Sequence, residues 1–180
     1  VRRLLTGRTK AIIAVNLMGH PARLKELRSL ADEHGIFLIE DNAQSPLASE
    51  EGLFAGTVGH IGVFSLNYHK HIHAGEGGIC VTDDPNLAFR LQLIRNHGEN
   101  CVGGMEGRDL TNLVGFNFRM TELTAAVALV QLRNIEVHVD RRRQIAEALS
   151  SGLGDLAGLR VPVVRSGCTH VYYCWSVVID

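Results

Sequence analysis

Two apolar runs bracket a helical pattern, and no other feature constrains the fold of this chain as much. Ala11-Ile-Ile-Ala-Val15 is apolar throughout, the pattern of a strand buried on both faces. Pro21 stands at the first position of a helix in which Leu24, Leu27, Leu30 and Ala31 recur at helical spacing, and Gly35 ends it. Ile36-Phe-Leu-Ile39 reads as the next strand. Strand, helix of about 14 residues, strand is a βαβ unit, which implies parallel pairing because parallel strands need a crossover between them.

The pattern continues with two short strands, Ile61-Gly-Val-Phe-Ser65 and Ile79-Cys-Val-Thr82. Asp84-Pro85 opens a helix with Leu87, Leu91 and Ile94 on one face and Gly98 beyond its end. Residues 100–112 are polar and glycine-rich, a loop long enough to carry function. From Thr121 one long helical pattern runs through Leu123, Ala126, Val127 and Val130 to about Leu149, and its charged stretch Asp140-Arg-Arg-Arg-Gln144 reads as a solvated face. Residues 159–164 and 171–180 return to strand character, with Gly167 between them. The expected fold is α/β: three layers, with a mostly parallel central sheet and helices on both faces.

Ligands of open α/β sheets lie beyond the carboxyl ends of the strands. Two chemically suggestive groups fall there. Glu40-Asp41 follows strand 36–39, and Lys70 follows strand 61–65, just before the glycine cluster Gly75-Glu-Gly-Gly78. A lysine so placed suits an amine that attacks a carbonyl. Only its neutral form is a nucleophile, so it needs partial burial or nearby cations. A Schiff-base lysine with an acid for a pyridinium nitrogen is the minimum apparatus of pyridoxal phosphate (PLP) chemistry. Taken singly, Asp41 also reads as a turn residue or cap, and Lys70 as an exposed loop lysine.

Composition sets the remaining bounds. The 180 residues are 46% hydrophobic and 21% charged with a formal net charge of -1, enough for one domain with a core. Near-neutral charge gives no support for nucleic acid or an anionic membrane as partner. No apolar run approaches the roughly 20 residues of a membrane span, and the first residues show no signal-peptide core. Cys80, Cys101, Cys168 and Cys174 form no CxxC pair, and Cys80 falls in an expected core strand. Reduced structural cysteines in a cytoplasmic protein are the expectation.

The motifs Glu40-Asp-Asn-Ala-Gln-Ser45, Phe64-Ser-Leu-Asn-Tyr-His-Lys70, Gly75-Glu-Gly-Gly78 and Gly115-Phe-Asn-Phe-Arg-Met-Thr-Glu122 resemble those of the DegT-type nucleotide-sugar aminotransferases. The resemblance runs from about Thr9 to the C-terminus. It implies a PLP-dependent transferase of fold type I, the aspartate-aminotransferase fold, with Lys70 as the Schiff-base lysine and proton carrier and Asp41 on the pyridine nitrogen. It places Gln44 near the ring 3′-oxygen and Ser65 on the phosphate. Asn117 would reach the phosphate of a neighbouring subunit, in a homodimer with shared active sites. Glu40 stays open between a site role and a buried-edge carboxylate, and Arg119 between a substrate contact and a structural one.

Family members are about twice this long. By that comparison residues 1–158 are part of the PLP-binding large domain and 159–180 begin a truncated small domain. The isolated stretch is therefore expected to be inactive and prone to self-association. The implied reaction is amino transfer from an amino acid, glutamate by expectation, to a nucleotide-linked keto-sugar. A PLP-dependent sugar dehydratase of the same family is the nearest alternative, but those enzymes resemble this chain with histidine at the lysine position. A non-catalytic binding or regulatory module also stays open. His69, His71 and His73 alternate around Lys70, which raises a metal site. No carboxylate or thiolate is spaced to complete one, so packing, or positive potential beside Lys70, is the expected role.

Overall fold

The structure is a computed structural model that describes residues 1–99 and 113–180. The expected loop at 100–112 lies outside the described residues. In chain order the first elements are β1 (Ala11–Val15), α1 (Leu24–Glu33), β2 (Phe37–Asp41), β3 (Ser49–Glu50), β4 (Leu53–Phe54), β5 (Ile61–Ser65) and β6 (Gly78–Val81). Then come α2 (Pro85–Arg95), α3 (Glu122–Arg133), α4 (Ile135–Leu153), β7 (Leu159–Arg160), β8 (Cys168–Thr169) and β9 (Val178–Ile179). The main sheet has the order β1-β2-β5-β6. β1, β2 and β5 are parallel, with Val15 opposite Asp41 and Asp41 opposite Val63, while β6 runs antiparallel on β5. The α/β architecture with a parallel-dominated sheet is the one the sequence implies.

α1 covers one face of β1 and β2. The core there joins Ile12, Ala14 and Leu38 to Leu24, Leu30 and Ala31, with Ile135 and Val139 of α4 and Val171 completing it. β1 alternates rather than being buried on both faces. Ile13 (66% exposed) and Val15 point to a face that the described residues leave uncovered. Cys80 is likewise exposed, because β6 is an edge strand.

Several boundaries differ from the sequence reading, each for a local reason. α1 begins at Leu24, not Pro21. The Ala22 N–H donates to Asn16 Oδ1, and the Pro21 and Ala22 carbonyls accept from the Arg165 guanidinium, so this segment is pinned outside the helix. Glu50 serves in place of a local cap: one oxygen accepts the Lys25 N–H in the first turn while the other pairs with Arg165 at 3.0 Å. The expected single C-terminal helix is two. Asn134 (φ −106°, ψ 3°) separates α3 from α4 and donates its side-chain amide to the Val130 carbonyl. α2 matches expectation, with the Asp84 side chain accepting from the Asn86 and Leu87 N–H groups and Pro85 at the first position.

The largest departure lies at the end of the chain. Residues 159–164 yield only the two residues of β7, and Pro162 has no N–H to extend a ladder. Most of 171–180 is not strand either, because other groups take its backbone. Arg143 donates to the His170 carbonyl, Arg142 to those of Tyr172 and Tyr173, and His71 Nε2 to that of Val171. The Val171 N–H in turn donates to the Gly19 carbonyl. Gly19 sits at φ +101°, where an added Cβ would meet the Tyr172 nitrogen at 2.8 Å, so only glycine allows this approach.

Neutral histidines complete this clamp. His20 donates from Nδ1 to the Pro21 carbonyl and accepts the Arg165 N–H at Nε2, while His170 Nδ1 accepts the Tyr172 N–H. Burial pushes His71 and His170 down to about 4 and lowers His20 as well. The unfolded chain therefore binds more protons between about pH 6.5 and 4. Stability should be flat above that window and fall as pH drops through it. Denaturant midpoints should hold from pH 7.5 to about 6.5 and then decrease toward pH 5.5, above the range where ordinary carboxylates titrate. A pH-independent midpoint across that interval would contradict the clamp.

Candidate active site at the carboxyl ends of the parallel strands

Glu40, fully buried at the end of β2, organises this part of the molecule. Oε1 accepts the N–H groups of Val58 (2.8 Å) and Gly59 (2.5 Å), and Oε2 accepts that of Gly56 (2.6 Å) and the Asn16 side-chain amide (3.3 Å). Asn16 also donates to Asn42 Oδ1, Asn42 donates to the Ala55 carbonyl, and the Ser45 hydroxyl donates to the Asn16 carbonyl. Of the two roles left open for Glu40, the structure shows an interior one. Its signal in the sequence was its place two residues from Leu38, on the inward face of the strand. Asn16 and Asn42 gave no such signal, since each reads as a loop residue until the network is seen.

Asp41, next along the chain, points to the opposite face. It pairs with Val63, and Ser65, two residues on, shares that face, so Asp41 and Ser65 stand together at one end of the sheet. Asp41 is half-buried; its Oδ1 accepts the Ala43 N–H at 3.1 Å, and Oδ2 takes no hydrogen bond among the described residues. Ser65 Oγ accepts the Asn67 N–H at 3.3 Å, a serine turn that leaves its hydroxyl hydrogen to donate. Gln44 Oε1 accepts the Met18 N–H at 2.6 Å. That bond fixes the amide orientation and leaves the NH₂ as the donor end, with no partner among the described residues.

Lys70 lies in the loop between β5 and β6, half-buried, with Nζ 4.7 Å from the centre of the Tyr173 ring. The loop is closed at its base by the Leu66 N–H to the Gly77 carbonyl and the Ala74 N–H to the Leu66 carbonyl. Gly75 and Gly77 have φ of +86° and +155°, whereas Gly78 enters β6. The chain has three lysines, Lys10, Lys25 and Lys70. Lys10 precedes β1 at the opposite end of the sheet, and Lys25 is ion-paired to Glu51 on α1. Lys70 alone follows a strand's carboxyl end. Tyr173, absent from the sequence reading, was illegible because it comes from about a hundred residues away.

Asn117 is not brought to this group. It is exposed, forms an isolated bridge with Asn96 beyond α2, and accepts from Arg119 Nε at 3.1 Å. Arg119 also reaches His97 at 3.2 Å, a local contact. The three histidines divide. His71 is buried, while His69 stacks on Tyr68 and His73 is exposed, so they do not share a face. Since burial holds His71 neutral, it supplies no positive potential to Lys70 at neutral pH.

The half-buried acceptor of Asp41, the O–H of Ser65, the NH₂ of Gln44 and the amine of Lys70 form a donor and acceptor set that fits PLP. An anionic group suits a ring N–H, donors suit the phosphate and the ring oxygen, and an amine suits the aldehyde.

Comparison with known proteins agrees. The DegT/DnrJ/EryC1/StrS aminotransferase family model matches residues 1–180. The chain is 35% identical over 182 residues to GDP-perosamine synthase of Vibrio cholerae, covering 100% of this chain and 48% of that one. It is similar to the structure of S. venezuelae DesV in complex with a ketimine intermediate, at TM-score 0.88 and 35% identity, covering 98% and 46% of the two chains. It is also similar to E. coli GDP-4-keto-6-deoxy-D-mannose-3-dehydratase with bound hydrated PLP, at TM-score 0.84 and 32% identity, covering 99% and 49%. The chain spans about half the length of the relatives it matches. Matched from its first residue to its last, it belongs to the DegT/DnrJ/EryC1/StrS aminotransferase family.

Proposed function

We propose that this chain carries the lysine-bearing part of the active site of a PLP-dependent aminotransferase. The amino group moves from an amino acid, glutamate in this reading, to a nucleotide-linked keto-sugar, leaving 2-oxoglutarate and an amino-sugar nucleotide. The observation that carries the reading is the placement of Asp41 and Ser65 on one face of the sheet end from which the Lys70 loop departs. The sugar-dehydratase alternative fits less well. By resemblance that branch has histidine where this chain has Lys70, and a histidine cannot bond the cofactor aldehyde as an amine does. A non-catalytic module would have no use for the donor and acceptor capacity that Asp41, Ser65 and Gln44 keep open at the strand ends among the described residues.

When bound, PLP supplies an aldehyde that takes up an amine and a ring that accepts electron density. Asp41 holds a proton on the ring nitrogen, which keeps the ring electron-poor. Ser65 donates its hydroxyl to the phosphate, and Gln44 donates its amide to the ring oxygen. Lys70 would hold the cofactor through its aldehyde, and its Nζ, when free, would carry the proton taken from the donor's α-carbon and the proton delivered to the sugar carbon. The Tyr173 ring, its centre 4.7 Å from Nζ, gives the Lys70 side chain a fixed wall to lie against.

We place a domain boundary near residue 158, since β7 and β9 form a separate two-stranded sheet. The working unit is a homodimer in which Asn117 serves the partner's phosphate. In support, Asn117 lies between the exposed, stacked rings of Phe116 and Phe118, and α3 buries none of its apolar residues, with Leu123 82% exposed. The described cysteines Cys80, Cys168 and Cys174 are free thiols, in keeping with a cytoplasmic setting and amino-sugar synthesis for polysaccharides. No helix among the described residues is long and apolar enough to cross a membrane.

Borohydride reduction of the complete PLP-loaded protein, followed by peptide mapping, should place the cofactor mass on Lys70. Cofactor on Lys10 or Lys25 would overturn the assignment. Asp41→Asn should retain cofactor but lower kcat by roughly 10²-fold or more, the cost of removing a preorganised charge from a reacting centre. A near-normal kcat in steady-state assays would show that Asp41 has another role.

A further inference from the structure

Residues 170–173 form a strap against the Lys70 loop, outside any strand or helix, yet each of their carbonyls is held by a side chain. Arg143 Nε donates to that of His170 and His71 Nε2 to that of Val171, both at 3.0 Å. Arg142 donates to those of Tyr172 and Tyr173, at 3.2 and 3.3 Å. The turn at Met18 and Gly19 takes N–H groups in return: the Gly19 carbonyl accepts from Val171 at 2.9 Å, and that of Met18 from Cys174 at 3.4 Å. Side chains thus give this stretch much of the hydrogen bonding that a strand gets from its neighbours.

Two features mark the strap as a held conformation. Tyr172 sits at φ +48°, which crowds a side chain against its own backbone and persists only where neighbours over-determine it. Its ring stacks on His170 with centroids 3.9 Å apart, while the centre of the next ring, Tyr173, lies 4.7 Å from Lys70 Nζ. The second feature is Arg142. Its hydrogen bonds among the described residues go to the Tyr172 and Tyr173 carbonyls, and no carboxylate there pairs with it, whereas Arg143 also pairs with Asp140. A charged donor makes the stronger bond to a carbonyl, so this guanidinium is committed to the two residues that turn the chain toward Lys70. The strap is tied to the other side of the site as well, because Met18 donates its own N–H to Gln44 Oε1.

We propose that Arg142 is a positioning residue for Lys70: by gripping the Tyr172 and Tyr173 carbonyls it holds the Tyr173 ring as the wall that sets where Nζ lies. The consequence for catalysis rests on the reading of Lys70 as the cofactor lysine, while the hold itself belongs to the chain without cofactor. The ring and not its hydroxyl does this, since the Tyr173 O–H makes no hydrogen bond among the described residues. Lys70, Arg142 and Tyr173 line one cleft of about 520 Å³, open to a small reagent, so the placement of Nζ can be read chemically.

The test is trace acetylation of the complete protein freed of PLP, with labelling of Lys70 read by mass spectrometry against Lys10 and Lys25 in the same sample. In Arg142→Gln, its folding checked by thermal unfolding, Lys70 labelling should rise about threefold or more while Lys10 and Lys25 keep their ratio, the sign of a local opening. Tyr173→Leu should give the same rise, and Tyr173→Phe should label as the wild type does. Unchanged or lowered Lys70 labelling in Arg142→Gln, or a rise at all three lysines, would overturn the proposal. So would an Arg142→Gln chain that does not fold, since Arg142 would then be a folding residue. A rise in Tyr173→Phe equal to that in Tyr173→Leu would remove the ring as the wall. In the PLP-loaded protein, Arg142→Gln should lower kcat roughly tenfold or more and leave the amino-donor KM within about twofold, the mark of a misplaced reacting group. A raised KM at unchanged kcat would make Arg142 a substrate contact instead. Because the labelling needs no cofactor, its outcome is separate from the borohydride mapping that tests the bond of Lys70 to PLP.

Discussion

The end of the sheet depends on one buried carboxylate. A charge taken out of water costs several kcal/mol unless hydrogen bonds replace its hydration. Glu40 meets that cost with three backbone N–H groups and the Asn16 amide. Those bonds are strong because the acceptor is charged, and they bind loop 56–59 to the end of β2. The fit is tight: a Cβ on Gly62 would lie 1.9 Å from the Gly56 carbonyl oxygen, so β5 approaches that loop without room for a side chain. Asn16 extends the network to β1 and to the segment before α1. The strand ends that carry Asp41 and Ser65 are held in register by groups on the other face of the same sheet.

This division of faces explains how a rigid interior can sit directly behind a set of unsatisfied functional groups. Strand alternation turns Glu40 inward and Asp41 outward although they are neighbours in the chain. The inward residue has its hydrogen bonds filled, and the outward one keeps an acceptor open. Gln44 divides in the same way within one side chain, its oxygen spent on Met18 and its NH₂ left over. The Lys70 loop is held at its base by backbone bonds and at its tip by His71 reaching Val171. Residues near the C-terminal end therefore support a lysine about a hundred positions earlier, through Tyr173 as well as Val171.

Local features were legible in the sequence and distant ones were not. The βαβ unit, the Asp84-Pro85 helix start and the lysine after β5 all follow from patterns within a few residues. The start of α1, the break at Asn134 and the loss of strand across 171–177 escaped, because each is decided by a side chain's grip on a backbone group. For the last, Arg142 and Arg143 act from about 30 residues away, and their triplet read as a solvated face. Alternation on β1 was missed because both of its faces are apolar, and composition cannot tell a covered face from an uncovered one. That Asp41 and Ser65 stand at strand ends and Lys70 on the loop after β5 was legible from local pattern, while the bridge of Asn117 to Asn96 was not.

The central claim is that the face opposite Glu40 presents Asp41 to the ring nitrogen of PLP. The most direct measurement is the ¹⁵N chemical shift of that nitrogen in the complete protein loaded with ¹⁵N-labelled cofactor. The account predicts a protonated pyridinium signal in the wild type that reverts to an unprotonated pyridine signal in Asp41→Asn. An unprotonated ring in the wild type, or the same protonated signal in both proteins, would contradict it.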